Sequence, residues 1–390
     1  MGAGRSEGIR ETMQSWRHEI HASPGIRFAV EETAARVASV LDSVGVEVAQ
    51  GIGVTGVVGL LRRGSAARGI GLRADMDALP IQSTSDVPYR SQIHGRHHGC
   101  GHDGHTAMLL GAAATLADSG AFDGTVHFIF QPNEEEGHGA QAMIDDGLFE
   151  RWQIDEVYGM HCAPSIPAGH FSMRSGPMMT FEDNFVIELD GRGGHSSAPH
   201  MGHDPMVAAA QIVSALQTVV SRSLSPLESG VISVTELTTD GSRNVIPSRV
   251  TIKGDTRGFN DGVQRMIEAR MGDIVAGISA ASGIGHSFDY SHEFVAVVNT
   301  PVETGAAVRA AVDVVGDEAV DDDCEPSTGS EDFARMLAHR PGCYVLIGNG
   351  TDGSHGLPWH NPGFDFNDDI LGIGADYWTT LTEKRLPISG

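Results

Sequence analysis

Three short apolar runs that end in acids or histidine limit the possible folds more than any other feature of this chain: GIGLRADMD (69–77), TVHFIFQPNEE (125–135) and EVYGMHCAP (156–164). Between the first two lies TAMLLGAAATLADSG (106–120), apolar and of helical length. Strands alternating with helices predict an α/β fold with a mixed, mostly parallel sheet, because a parallel pair needs a crossover over one sheet face. Ligands in such sheets sit at the carboxyl ends of the strands. Asp75, Asp77, Glu134, Glu135 and His161 all fall there. Upstream, Ile9 to Val44 shows helical spacing, with Gly45 as the stop.

The pattern changes near Thr180. FVIELDGRGGHSS, GVISVTEL, RVTIKGDTRGF and HSFDYSHEF read as strands. DPMVAAAQIVSALQTVVSR, opened by Asp204 and Pro205, and VQRMIEARMGDIVAGISAASG read as helices. Strand, helix, two strands, helix, strand is the order of an α+β, ferredoxin-like unit. After NTP (299–301) the earlier alternation resumes in AAVRAAVDVVG, SEDFARMLA and GCYVLIGNG. The expected organisation is therefore a catalytic domain in two parts, 1–179 and 295–390, with 180–294 inserted. At 390 residues the chain exceeds the size at which single cores stop growing.

Lys plus Arg number 26 against 51 Asp plus Glu, a net charge of −25 that disfavours nucleic acid and anionic membranes as partners. The N-terminus lacks an apolar leader and no run reaches eighteen apolar residues, so a cytoplasmic, membrane-free protein is expected. Cys100, Cys162, Cys324 and Cys343 form no CxxC pair, which argues against a disulfide framework.

HHGCGHDGH (97–105) then needs its own explanation, since it is too rich in glycine for an ordinary helix or strand. Glycine between donors lets a loop close around an ion, and Cys100 and His102, two residues apart, could reach one site. His94 or His97 alone reads as a solvated or hydrogen-bonded loop residue. QPNEEEG supplies adjacent carboxylates, which suit a ligand beside a proton acceptor. His161 and His360 stand among apolar residues and proline. Glu331 reads as an acid in the first turn of a helix after Ser330.

RADMDALPI, HGCGHDGH, FQPNEEEG, GMHCAP, GRGGHSSAPH, DPM, NVIPS, TRGF, GSEDF and WHNPGFDFND occur in that order along nearly the whole chain. Together they resemble the M20 family of metallopeptidases and amidohydrolases, and within it the N-acyl amino acid amidohydrolases such as hippurate hydrolases. The resemblance implies a zinc-exopeptidase-like catalytic domain whose insert is a lid and dimerisation domain. It implies two divalent ions per subunit, zinc, manganese or cobalt, held by Cys100, His102, Glu135, His161 and His360, with Glu134 as general base. Asp75, Asp77 and Asp103 become candidates for orienting imidazoles, Asp77 within the catalytic group. His195 would enter the neighbouring subunit's site of a homodimer and stabilise the oxyanion, further pairing into tetramers being open. Asn244 and Arg257 would face the substrate, although Arg257 reads equally as a surface strand residue. Glu136, His138, Cys162 and His203 depart from the usual family pattern.

The reaction so implied is hydrolysis of the amide bond of a small-molecule N-acyl amino acid, with Glu134 taking the proton of a metal-bridging water. Alternatives are a dipeptidase, an aminohydrolase of aromatic amides or amines, and a non-catalytic binding protein. The preserved Glu134 argues against the last, because a storage site needs no general base.

Overall fold

GIGLRAD forms a strand that is buried along its whole length. The reason is its place: both neighbours run parallel to it, and parallel sheets are covered on both faces. The computed structural model describes residues 7–388 and divides the chain into two units. One comprises the chain up to Met178, Val298–Pro326 and the chain from Glu331; the other is Met179–Val297 with Ser327–Ser330. The first six residues, read above for the lack of a leader, and the last two lie outside the described residues.

The first unit begins with α1 (Arg10–Ala22), α2 (Glu31–Ser43), β1 (Glu47–Ile52), β2 (Gly56–Arg63), β3 (Gly69–Asp75) and α3 (His102–Ser119). It continues with β4 (Gly124–Gln131), α4 (Gly139–Asp145), α5 (Leu148–Arg151), β5 (Glu156–Pro164) and β6 (Phe171–Ser172). Beyond β7 (Gly176–Met179) come β8 (Phe181–Asp190), β9 (Gly194–His195), α6 (Pro205–Thr218), β10 (Gly230–Thr239), β11 (Val245–Ile246), β12 (Arg249–Gly258), α7 (Asp261–Ser282) and β13 (Gly285–Phe294). The chain returns through β14 (Val297–Asn299) to α8 (Pro301–Val315), β15 (Val320–Asp321), α9 (Phe333–His339), β16 (Gly342–Gly350) and α10 (Leu371–Arg385).

Eight strands of the first unit form a sheet in the order β1-β2-β4-β3-β5-β16-β6-β15. Its centre, β4-β3-β5-β16, is parallel, with Leu72 opposite both Phe128 and Tyr158; β1, β2 and β6 add antiparallel pairings. The parallel strands share one polarity, so their carboxyl ends converge. Helix α3 buries fourteen of its residues and packs on α1, α10 and β3. A helix apolar all round must be buried in this way.

Two boundaries differ from the sequence reading. The spacing over Ile9–Val44 becomes two helices broken at 23–30, where Pro24 disfavours a helical Ser23 and a Cβ on Gly25 would lie 2.4 Å from the Ala29 carbonyl. Helix α3 begins at His102, inside the segment read as too glycine-rich for a helix. Gly101 makes this entry at φ 88°, and a Cβ there would lie 2.4 Å from Cys162 Sγ.

In the second unit β10-β12-β8-β13 form an antiparallel sheet, the strand order of the ferredoxin-like fold. Phe185, Ile187 and Leu189 of β8 share its core with Ile212 and Leu216 of α6 and Ile267 and Met271 of α7. The Asp204 carboxylate caps α6 by accepting the Met206 N–H at 2.9 Å, with Pro205 at the first helical position.

His127 on β4 makes the first unit pH-sensitive. Burial lowers its pKa to about 4, and its Nδ1 lies 3.2 Å from the Ile70 carbonyl. The folded state keeps this imidazole neutral, whereas the unfolded chain takes up a proton below about 6.5. Its contribution is therefore complete above pH 6.5 and lost as pH falls towards 4, about 3 kcal/mol in all. Trp16, Trp152, Trp359 and Trp378 all lie in the first unit, so their fluorescence follows its unfolding. In urea melts at pH 7.5 and 5.0, His127→Gln should lose about 2 kcal/mol less stability than wild type between the two. Equal losses would show that His127 is not the sensitive group.

Candidate metal centre

The carboxyl ends of β3, β4 and β5 bring five donors together. Cys100 Sγ lies 3.3 Å from His161 Nε2. His102 Nε2 is 3.8 Å from Glu135 Oε1 and 3.9 Å from Glu134 Oε2. His360 Nε2 is 3.2 Å from the other Glu135 oxygen, and its backbone N–H donates to Gly99, beside Cys100. Ligating atoms of Cys100, His102 and Glu135 all lie within 4.8 Å of one another.

These side chains suit a cation. His102 is fully buried with neither ring nitrogen hydrogen-bonded, and Glu135 Oε1 is likewise without a partner. Buried polar atoms without partners are costly and rare, so several in one place indicate a missing charge. His161 Nδ1 donates to the Cys162 carbonyl at 2.7 Å, which Trp359 Nε1 also reaches at 2.9 Å, and the His161 Nε2 lone pair is left toward Cys100. Burial, then Glu135 and Glu134, pushes the Cys100 thiol well above its usual range, so a thiolate here needs a cation beside it. Burial opposes charge on His102, yet Asp75, Asp77 and Glu135 raise its pKa to about 10.

Asp77 accepts the backbone N–H groups of Glu134 at 3.0 Å and Glu135 at 3.3 Å, while its Oδ1 lies 3.6 Å from His102 Nδ1. One carboxylate thus ties the glutamate turn to the helix start. Glu134 Oε2 lies 3.9 Å from His102 Nε2, and burial followed by Glu331, Glu135 and Asp332 holds its carboxyl well above the ordinary range.

Several other acids and histidines nearby are already engaged, although buried His98 has neither ring nitrogen hydrogen-bonded. His105 donates Nδ1–H to Asp75 at 2.6 Å and accepts the Cys162 N–H on Nε2 at 2.8 Å, so neither nitrogen is left for a metal. Glu134, Glu331 and Asp332 also have oxygens within 4.8 Å, but Arg73 already supplies a cation to the latter two. Asp103 accepts from His21 at 2.8 Å and Arg17 at 3.0 Å, rather than orienting a ligand imidazole. His97 is buried with Nε2 3.1 Å from the Phe364 carbonyl, whereas His94 is exposed. Glu331 stands two residues ahead of α9, not within its first turn, and accepts the Phe333 N–H at 2.9 Å.

The second unit carries His195, Asn244 and Arg257. Ser197 donates its backbone N–H to His195 Nδ1 at 3.2 Å, which leaves the exposed ring's Nε2 as a donor when the imidazole is neutral. Strand β9 pairs with β11, and the Ser196 N–H donates to the Asn244 carbonyl at 3.1 Å. Arg257 donates to Asp255 at 3.2 Å and the Thr328 carbonyl at 3.1 Å, and pairs with Glu182 at 2.9 Å. It is no free surface arginine, and its fork is already in use. Of the four departures from the family pattern, Glu136 pairs with Arg27 at 2.6 Å and His138 is exposed. Cys162 donates Sγ–H to the Cys100 carbonyl at 3.4 Å, and His203 belongs to the second unit, paired with Arg192.

The spacing of motifs does not single out Arg73, Gln131 or Tyr344, and it gives Glu331 only a place at a helix start. A charged residue inside a run as apolar as GIGLRAD was the available signal for Arg73.

A family model for peptidase family M20/M25/M40 matches residues 71–384. The chain is 38% identical over 370 residues to hippurate hydrolase of Campylobacter jejuni, covering 95% of each. It is 36% identical over 375 residues to N-acetyl-L-cysteine deacetylase of Bacillus subtilis, covering 95% of this chain and 87% of that one. Among solved structures, the Bacillus subtilis YXEP protein, a dinuclear metal-binding peptidase of family M20, superposes with a TM-score of 0.85 at 30% identity, covering 97% of this chain and 99% of that one. No helix among the described residues is long and apolar enough to cross a membrane. The chain belongs to peptidase family M20/M25/M40, among its metal-dependent amidohydrolases.

Proposed function

We propose that this protein hydrolyses the amide bond of N-acyl amino acids at a dinuclear centre, with Glu134 as the general base. The observation that carries this reading is the approach of Cys100, His102, Glu135, His161 and His360 to one another, with the buried Glu134 carboxylate 3.9 Å from His102 Nε2. Bound divalent ions would supply Lewis acidity and lower the pKa of water. Glu134 accepts a proton from the attacking water and returns it to the departing amine nitrogen. Asp77 holds the turn that carries both glutamates. His195, exposed and with Nε2 as donor, serves the developing oxyanion of a second subunit's site in a homodimer. Asn244 sets the strand pairing beside His195. Arg257 meets the substrate carboxylate only by exchanging one of its present partners. The relatives named for hippurate and N-acetylcysteine support an acyl amino acid as substrate.

The test is release of free amino acid from N-benzoyl, N-acetyl and dipeptide substrates by the full-length protein supplied with zinc, manganese or cobalt. Cleavage concentrated in one acyl class is the expected result and identifies the acyl pocket. Preference for unblocked dipeptides would make the protein a dipeptidase, and silence across the panel would overturn the proposed substrate class.

A further inference from the structure

We propose that Arg73 is a positioning residue for the metal centre, holding the imidazole half and the carboxylate half of the donor set in register from behind. The inference rests on the metal-dependent reading above. Arg73 is wholly buried in β3 and uses all three guanidinium nitrogens. Nε donates to Gln131 at 2.9 Å, Nη1 to Asp75 at 2.7 Å, and Nη2 to Glu331 at 2.8 Å and Asp332 at 3.2 Å.

On the imidazole side, Asp75 turns its other oxygen to His105 Nδ1–H, and its carbonyl accepts the Thr106 hydroxyl at 2.9 Å. His105 in turn accepts the Cys162 N–H, so Asp75 fixes the start of α3, which carries His102, against the strand carrying His161. On the carboxylate side, Gln131 closes β4 and donates to Asp332 at 2.6 Å, while Asp332 also accepts the Ala140 N–H of α4 at 2.9 Å. Those two bonds bracket the turn 132–139 that presents Glu134 and Glu135. The Tyr344 hydroxyl donates to Glu331 at 2.5 Å and holds the acid against the guanidinium.

One planar fork therefore bonds to β3, β4 and the segment before α9. A lysine has one nitrogen and cannot span those directions. Arg73 also faces three buried carboxylates, which would repel one another without it.

The experiment compares wild type and Arg73→Lys, stripped of metal, by zinc competition with a chromophoric chelator and then by kinetics. The expected result is a loss of metal affinity of about 10- to 100-fold. With it, kcat falls and KM changes by no more than about threefold, since this network does not touch substrate. Where Arg73→Lys does not fold, the shape-preserving Asp75→Asn and Asp332→Asn, alone and combined, decide. If Arg73 couples the two halves, the double variant departs from the product of the single losses in zinc affinity by about fivefold or more. Unchanged affinity in Arg73→Lys, or single losses that simply multiply, would overturn the proposal. A wild-type protein inert toward every amide, with the coupling in zinc affinity intact, would sink the catalytic reading and leave Arg73's role standing.

Discussion

Glu134→Gln lowers kcat by about 10² to 10⁴-fold and leaves metal affinity unchanged, because the amide keeps the shape of the carboxylate and loses only its capacity to hold a proton. The backbone N–H that ties this residue to Asp77 is unaffected by the change. Stability should hold as well. Glu134 stands near Glu135, Glu331 and Asp332, and a neutral amide removes a charge that those acids repel. The measurement is kcat and zinc affinity on one preparation of each protein, with a thermal melt. A variant that binds metal normally and turns over slowly has lost its base. If zinc affinity falls with the rate, Glu134 is a ligand, and the division of labour between it and Glu135 is reversed.

The parallel sheet was legible because strands buried on both faces must be apolar throughout, and GIGLRAD, TVHFIFQ and EVYGMHCAP each end where the polar residues of a site begin. The second unit was legible for a related reason: its strands and its helix start at Asp204 follow local rules of alternation and capping. The start of α3 was not. Glycine and histidine are poor helix formers, and His102 to His105 are held helical by Asp75 and by Arg17 and His21 acting on Asp103. Those partners lie 30, 86 and 82 residues away, where no local pattern can signal them. The bonds from Arg73 to Glu331 and Asp332, 258 and 259 residues apart in sequence, are hidden for the same reason. Cys100, His102 and Glu135, whose ligating atoms lie within 4.8 Å of one another, stand out in sequence as candidate donors because metal chemistry restricts residue type. Nothing in the residues around Arg257 announces that Glu182, Asp255 and Thr328 already occupy its fork.

Removal of metal produces the other large effect. The Cys100, His102 and Glu135 group joins a buried thiol and imidazole to a carboxylate, so chelation should abolish hydrolysis and also lower the melting temperature of the first unit, since an ion bound only by the folded state stabilises it. His102→Ala should mimic the stripped protein, because neither of its buried ring nitrogens is hydrogen-bonded and both face carboxylates. The most direct test is a titration of zinc or manganese into stripped protein, reading bound metal per chain and hydrolysis of an N-acyl amino acid together. Turnover should rise with metal occupancy and level off at two ions per chain in wild type, with metal binding but little turnover in Glu134→Gln. Full turnover by protein that holds no metal, or full occupancy at two ions without cleavage of any amide, would contradict the metal-dependent reading.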